Sequence, residues 1–383
     1  MKIGIVGPIS NDLLLDSMGL PKEKMPEGLR SPNVTNLING LWEMGHKIVV
    51  FSLSRDQEKP VSFYGNRITV CYSKYRYRLR AVDAFREERR GLLINMHDHP
   101  VDVMHAHWSY EFAMAALKMD KNALVTLHDW APQVLLFMPN YYRAIRLLMN
   151  YYVLFRSRYL LANSQYIAKN LYRFKTKLLG YVYNPITVNP KGNCKKSNRI
   201  IAVNNGFNAI KNVATLIDAF VVVKEMVADA ELHLYGHDYG IGEGAYAWTE
   251  SKYGCVKGIK FEGEVPYETV LEKMEEAIIL VHPSREESFG NVLVEAMFCK
   301  TAVIGGDRSG AVPEVLGYGK AGVLEDIGSA NLLAKAIVNL MEDERRRKAL
   351  VERAYEYAME NFSVQRVSER HSKIYQKILD ENP

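Results

Sequence analysis

Ala277-Ile278-Ile279-Leu280-Val281-His282-Pro283-Ser284-Arg285-Glu286-Glu287-Ser288-Phe289-Gly290-Asn291-Val292-Leu293-Val294-Glu295-Ala296 reads as a strand, a turn and the start of a helix. The five apolar residues at its head form a continuous buried strand. His282-Pro283-Ser284 turns the chain, and a helix is predicted to start near Phe289. Glu287 and Glu295 then stand eight positions apart across a loop-to-helix junction, with Glu295 about two turns into the helix. Free backbone N–H groups at a helix start, with Gly290 allowing close approach, favour an anion such as a diphosphate. The flanking carboxylates can accept hydrogen bonds from sugar hydroxyls. The plainer alternative is that Glu287 caps the helix and Glu295 lies on its solvated face.

Working outward, strands and helices alternate almost throughout, the pattern of doubly wound α/β domains. Strands are expected over residues 2–6, 47–51, 101–106, 123–127 and 159–162, with a helix over 33–44. After Asn184-Pro185 and a polar linker over 190–198, a second series begins: strands over 199–203, 231–235, 258–261, 277–281 and 301–304, helices over 213–227 and 267–276. Residues 362–379 form an amphipathic tail, with Val364, Val367, His371, Ile374, Tyr375 and Ile378 at helical spacing. A chain of 383 residues exceeds what one core usually organises, so two Rossmann-like domains are the economical reading.

Composition excludes several classes. With 48% hydrophobic and 24% charged residues the chain is that of a soluble globular protein. No run approaches the roughly 18 apolar residues of a membrane span. Met1 to Gly7 reads as a buried strand ending in a turn, not a signal peptide, so a cytoplasmic location is expected. Cys71, Cys194, Cys255 and Cys299 lack Cys-x-x-Cys spacing and read as reduced structural residues. His105-x-His107 faces one side of a strand, but no third ligand accompanies it, so no metal site is expected.

Charge is uneven. Of 49 Lys+Arg and 44 Asp+Glu, residues 1–185 hold 25 and 15, leaving 24 and 29 for the rest. A basic first half points to an anionic partner. Its cations interleave with aromatics at Lys74-Tyr75-Arg76-Tyr77-Arg78-Leu79-Arg80, Arg86, Arg89, Arg90, Tyr141-Tyr142-Arg143, Arg146, Arg156 and Arg158. Such a surface suits anionic lipid headgroups; solvated helix faces with core aromatics are the equal alternative. No nucleic-acid recognition motif is present.

The Glu287-x7-Glu295 segment, with Ser284, Phe289-Gly290 and Ala296 behind a buried strand, closely resembles the Glu-x7-Glu motif of retaining, nucleotide-sugar-dependent glycosyltransferases of the GT-B fold, family 4 (group 1). The resemblance spans nearly the whole chain and is strongest over residues 199–324. It implies an α/β GT-B fold: an acceptor-side domain over 1–187, a donor-binding domain over 188–361, facing each other across a cleft, and a helix over 362–383 returning to the first domain. By the same resemblance, Glu295 accepts both ribose hydroxyls and Glu287 holds a donor-sugar hydroxyl. The helix start at Phe289-Gly290-Asn291 and Lys211 compensate the diphosphate. Gly236 and Gly263 flank the base pocket, Gly28 lies near the phosphates, and residues 306–314 line the donor side. His128, in Thr126-Leu127-His128-Asp129-Trp130, resembles the histidine beside the reacting sugar, in a positioning role. His105-Ala106-His107, preceded by Asp102, resembles a family pattern that is structural or acceptor-side.

One position departs from the family. Many members carry Gly-Arg after the first strand of the second domain, the Arg pairing with the diphosphate, whereas this chain reads Val203-Asn204-Asn205-Gly206-Phe207, with Asn205 at that donor-binding position where the Arg stands. An amide donates hydrogen bonds but carries no charge. Arg285 and Arg308 are candidate substitutes. No Asp-x-Asp occurs in the chain, in keeping with a metal-independent site. The expectation is therefore a retaining hexosyltransferase with no cofactor, moving sugar from a UDP- or GDP-linked donor to a glycan or lipid-linked acceptor in surface polysaccharide or glycolipid synthesis. It would act in the cytoplasm, at the inner face of the membrane if the basic surface binds lipid, without nucleic acid. The rivals are a non-catalytic GT-B partner subunit and a nucleotide-sugar epimerase of the same architecture.

Overall fold

Successive residues of the early strands go to opposite cores. Ile3, Ile5, Ile48 and Val50 pack in one apolar cluster, while Val6, Val49 and Phe51 pack in another. A strand apolar on both faces needs a layer on each side. The computed structural model meets that need twice; it describes residues 1–172, 177–190, 192 and 194–382. Linker residues 191 and 193 lie outside the described residues. The chain divides into two compact units, Met1–Ile186 with Phe362–Pro383, and Thr187–Asn361.

In the first unit the elements are β1 (Lys2–Val6), α1 (Pro32–Glu43), β2 (Lys47–Ser54), β3 (Val61–Gly65) and β4 (Ile68–Lys74). Then come α2 (Arg86–Asp98), β5 (Val103–His107), α3 (Glu111–Met119), β6 (Leu124–Leu127), α4 (Ala131–Phe137) and α5 (Tyr141–Arg156). β7 (Tyr159–Ala162), α6 (Gln165–Leu171) and β8 (Lys177–Tyr181) complete the run. The strands form an eight-stranded sheet in the order β3-β4-β2-β1-β5-β6-β7-β8. β3 alone runs antiparallel, in a hairpin with β4 closed at Asn66-Arg67. Both strands of that hairpin are absent from the sequence reading; β3 is only partly buried and shows no clean alternation, whereas β4 is buried between β3 and β2.

The second unit runs β9 (Ser197–Val203), α7 (Val213–Met226), β10 (Glu231–Tyr235), α8 (Gly244–Tyr253), β11 (Ile259–Gly263) and α9 (Tyr267–Glu276). It continues with β12 (Ala277–His282), α10 (Asn291–Phe298), β13 (Ala302–Gly306), α11 (Val312–Val315), β14 (Val323–Glu325), α12 (Ala330–Glu342) and α13 (Glu344–Phe362). Its sheet is parallel throughout, in the order β11-β10-β9-β12-β13-β14. From β9 the chain first winds outward to β10 and β11, then returns to place β12 on the other side of β9. That reversal leaves a crevice beyond the carboxyl ends of β9 and β12, where doubly wound sheets bind ligands. The first sheet reverses in the same way between β1 and β5.

The last helix, α14 (Val364–Asp380), belongs to the first unit. Val367, Tyr375 and Ile378 join Leu37, Ile38 and Leu41 of α1 in one cluster. The two helices meet at Gly40, where a Cβ would fall 2.2 Å from Ser368 Oγ and 2.6 Å from Val364 Cγ1. Among the described residues no helix is long and apolar enough to cross a membrane.

One local expectation is corrected. α10 starts at Asn291, two residues later than predicted, because Gly290 at φ +88° is its N-cap and lies outside helical space. Glu295 is consequently the fifth helical residue, just past the first turn rather than two turns in.

Candidate functional site

The β9 and β12 strands of the second unit each end in a loop that carries a charged residue, and those residues meet. Lys211 Nζ donates to Glu287 Oε1 at 2.6 Å, both side chains being largely covered. The loops are tied by their main chains as well, Arg285 N–H donating to Ile210 O at 2.7 Å. Lys211 is aimed by Asn208, whose Oδ1 accepts from the N–H groups of Ile210 and Lys211. Glu287 is held from the other side by residues 307–311, with Ala311 N–H donating to its carbonyl at 2.9 Å. Gly310, at φ +58°, permits that approach, since a Cβ there would lie 2.3 Å from the Glu287 carbonyl oxygen. Burial works to raise the Glu287 carboxyl. His282, at 3.3 Å, and Lys211 outweigh it and hold the group down at about 2. It is a committed carboxylate, fit to accept hydrogen bonds and unfit as a general acid at neutral pH.

Glu295 is the opposite case. Its Oε1 accepts from Tyr267 Oη at 3.0 Å, and burial pushes the carboxyl up to about 7 against the influence of that hydroxyl. Between the two carboxyls, buried Phe289 anchors the loop and Gly290 starts α10, whose first N–H groups lie at the crevice end of the sheet. Tyr267 and His282 were not singled out in the sequence. Tyr267 comes from the start of α9, and only the packing of α9 on α10 brings it to Glu295.

The remaining expected residues divide. Gly236, at φ +115°, follows β10, and a Cβ there would lie 1.8 Å from the Asn204 carbonyl oxygen, so the β9 and β10 loops touch backbone to backbone. Gly263 ends β11 and accepts from Gly236 N–H at 2.8 Å. Asn205 is exposed, whereas its neighbour Asn204 is buried. Arg308 is exposed and pairs with Asp307 and Asp326; Arg285 is exposed. His128 and Gly28 are carried by the first unit. Gly28 bridges to Ser54 and would place a Cβ 2.4 Å from the Ile9 carbonyl oxygen, so close packing accounts for this glycine.

His128 follows β6, beside the carboxyl end of β5. It shares a 2.9 Å hydrogen bond, Nε2 to His107 Nδ1, and stacks on Trp108 with ring centres 4.3 Å apart. Burial, reinforced by His371 and opposed by the nearby Asn184 amide, pushes it down to about 3, so it is a neutral imidazole. Trp108 is held at φ +64°, a backbone conformation costly for a bulky residue. His105 is fully engaged, with Nδ1 on Tyr375 Oη and Nε2 on Thr126 Oγ1, each at 2.7 Å. It has no free nitrogen for a metal, and among the described residues no group of three His, Cys, Asp or Glu is placed to hold one.

The basic and aromatic interleaving of the first unit is partly internal. Arg76 pairs with Asp83 and buried Glu88, Arg80 lies over Tyr75, and the Arg146 guanidinium sits 3.5 Å from the Tyr110 ring centre. Outside lie Tyr77, Arg78 and Leu79 and, along α4 and α5, a stripe of Leu136, Phe137, Met138, Tyr141, Leu148, Tyr152 and Phe155, with Arg156 at its end.

Residues 187–357 match the family described as glycosyl transferases group 1, and residues 33–189 match glycosyltransferase family 4. The chain is 30% identical over 188 residues to an N-acetyl-alpha-D-glucosaminyl L-malate synthase of Bacillus anthracis, covering 48% of this chain and 47% of that one. It is also 30% identical over 167 residues to a phosphatidyl-myo-inositol mannosyltransferase of Mycolicibacterium smegmatis, covering 42% of each. The matched stretch thus spans about half the length of these curated relatives. Among solved structures, sucrose-phosphate synthase from Thermosynechococcus elongatus superposes over 100% of both chains with a TM-score of 0.75 at 16% identity. Anabaena HepE, in complex with UDP and glucose, superposes over 98% of this chain and 100% of its own with a TM-score of 0.68 at 18% identity. At such identities these two speak to the GT-B fold alone.

Proposed function

The chain belongs to the group 1, family 4 glycosyltransferases, and on that footing we propose that it transfers a sugar from a nucleoside diphosphate to a glycan or lipid-linked acceptor with retention at the anomeric carbon. The observation that carries this reading is the Lys211–Glu287 pair across the β9/β12 crevice, with Glu295 one turn into the helix that follows. In the proposed complex Glu295 accepts from the ribose hydroxyls, and Glu287 accepts from a hydroxyl of the donor sugar. Lys211, which has three N–H donors, keeps Glu287 and reaches a diphosphate oxygen with another. The bond from the anomeric carbon to the diphosphate breaks while the acceptor oxygen bonds to that carbon. The acceptor proton leaves on the departing phosphate, so neither glutamate has to titrate. Negative charge grows on the diphosphate in that step, which is where Lys211 and the α10 start act on rate. A neighbour of the same fold that holds UDP and glucose supports a donor of this class, and a relative named as a phosphatidyl-myo-inositol mannosyltransferase supports a lipid-linked acceptor.

Two experiments test the reading. Nucleotide sugars are screened by thermal shift and then for nucleotide release; stabilisation by none of them, or binding untouched by Glu295→Ala, would sink the donor site. The exposed stripe on α4 and α5 supports peripheral attachment, because apolar side chains flanked by arginines suit an anionic bilayer surface. The chain should float with vesicles rich in phosphatidylglycerol, and Leu148→Glu with Tyr152→Glu should release it. Equal flotation of that variant would remove the membrane from the proposal.

A further inference from the structure

Asn204 follows the central strand β9 and is 9% exposed, yet neither its Oδ1 nor its Nδ2 has a hydrogen-bond partner. Its main chain is fixed by an N–H bond to Tyr235 O at 3.1 Å and by the contact with Gly236. A covered amide with both ends idle is costly, and an apolar side chain of similar volume would be cheaper there. A polar partner that arrives with a ligand accounts for it.

Position narrows the partner. Asn204 stands at the carboxyl end of one of the two strands that border the crevice, on the loop that carries Lys211. The starts of α7 and α10 open at the same end of the sheet, so the surroundings favour an anion. An amide N–H is a suitable neutral donor beside the Lys211 ammonium.

We propose that Asn204 is a diphosphate-binding residue of the donor site, its Nδ2 donating to a diphosphate oxygen of the bound nucleotide. The inference rests on reading the second unit as the nucleotide-sugar site. It gives Asn204 the phosphate contact that the family resemblance had placed at exposed Asn205. Both amide atoms are covered, so the loop over residues 205–211, which carries Gly206 at φ +88°, shifts as the nucleotide enters.

The test is calorimetric binding of UDP and GDP to the full chain, with uridine and guanosine measured by competition, for the unmodified protein, Asn204→Leu and Asn204→Asp. Asn204→Leu should melt no lower than the unmodified chain and bind the diphosphate about tenfold more weakly, with nucleoside affinity unchanged. Asn204→Asp should lose more, because a carboxylate repels the phosphates. This isosteric variant decides the matter if Asn204→Leu does not fold. Diphosphate affinity unchanged in the variants, or nucleoside affinity falling by the same factor, overturns the assignment. Failure of the unmodified chain to bind either diphosphate overturns the nucleotide reading itself, and this inference with it.

Discussion

Glu287 and Glu295 share a motif and differ in chemistry, because their partners differ. Glu287 has Lys211 and His282 close by and stays ionised; Glu295 has a single hydroxyl to oppose burial, and burial pushes it to about 7. If Glu295 accepts ribose hydroxyls as a carboxylate, binding favours its deprotonated form. Nucleotide affinity should then fall as pH drops below about 7, by up to about tenfold per pH unit, as the free site takes up a proton that the complex must release. Glu295→Gln should bind weakly and lose this dependence; calorimetry across pH 6 to 8, roughly, checks both. A pH-independent affinity in the unmodified chain would remove Glu295 from the ribose. The two glutamates were legible in the sequence because they fall within one short, well-marked segment. Tyr267, His282 and Asn204 were not, since what matters about each is a contact or a missing one. Contacts across 28 positions, as between Tyr267 and Glu295, leave no local pattern.

Among the elements, the strands that border both crevices were plain from their apolar runs, and their helices from the alternation around them. Less was legible where a partner supplies the burial. β3 is an edge addition with half-covered residues, and the start of α10 depends on the left-handed conformation of Gly290. The α1–α14 contact shows the same thing. Periodicity marks an apolar face on α14, whereas only the structure shows that Gly40 lets α1 receive it. In an exposed helix, alanine would be better than glycine by about 1 kcal/mol. At Gly40 the clash with Ser368 and Val364 should reverse that preference, and Gly40→Val should destabilise the first unit by about 1–3 kcal/mol. Urea denaturation followed by tryptophan emission, to which Trp42 on α1 contributes, measures it. An unchanged or raised midpoint would mean that α14 re-seats without cost.

At the scale of the whole chain, the two units should answer acid differently. The first buries four imidazoles, His105, His107, His128 and His371, each lowered by burial, the last two to about 3 and about 4. Their folded values lie below the unfolded one of about 6.5, so the unfolded chain binds more protons below that pH. Their contribution is whole above about pH 6.5 and is lost as pH falls, by about 1.4 kcal/mol per imidazole per pH unit until the folded value is reached. Glu111 and Asp129 are raised by burial and pull the other way, but four imidazoles against two carboxyls decide the sign. In the second unit the raised Glu295 contributes stability that is present at low pH and lost as pH rises through about 7, while Glu287 begins to lose its contribution only below its ordinary carboxylate value. Acidification from about pH 7.5 to 5.5 should therefore loosen the first unit and spare the second. Hydrogen exchange, corrected for intrinsic rates, reads the two separately: protection should fall in β1, β5, β6 and α14 and persist in β9, β12 and α10. His371→Leu, which replaces one imidazole with an apolar side chain, should reduce the acid sensitivity by about a quarter of its slope. Loss of protection in both units together, or in the second first, would show that the imidazole cluster does not govern the response.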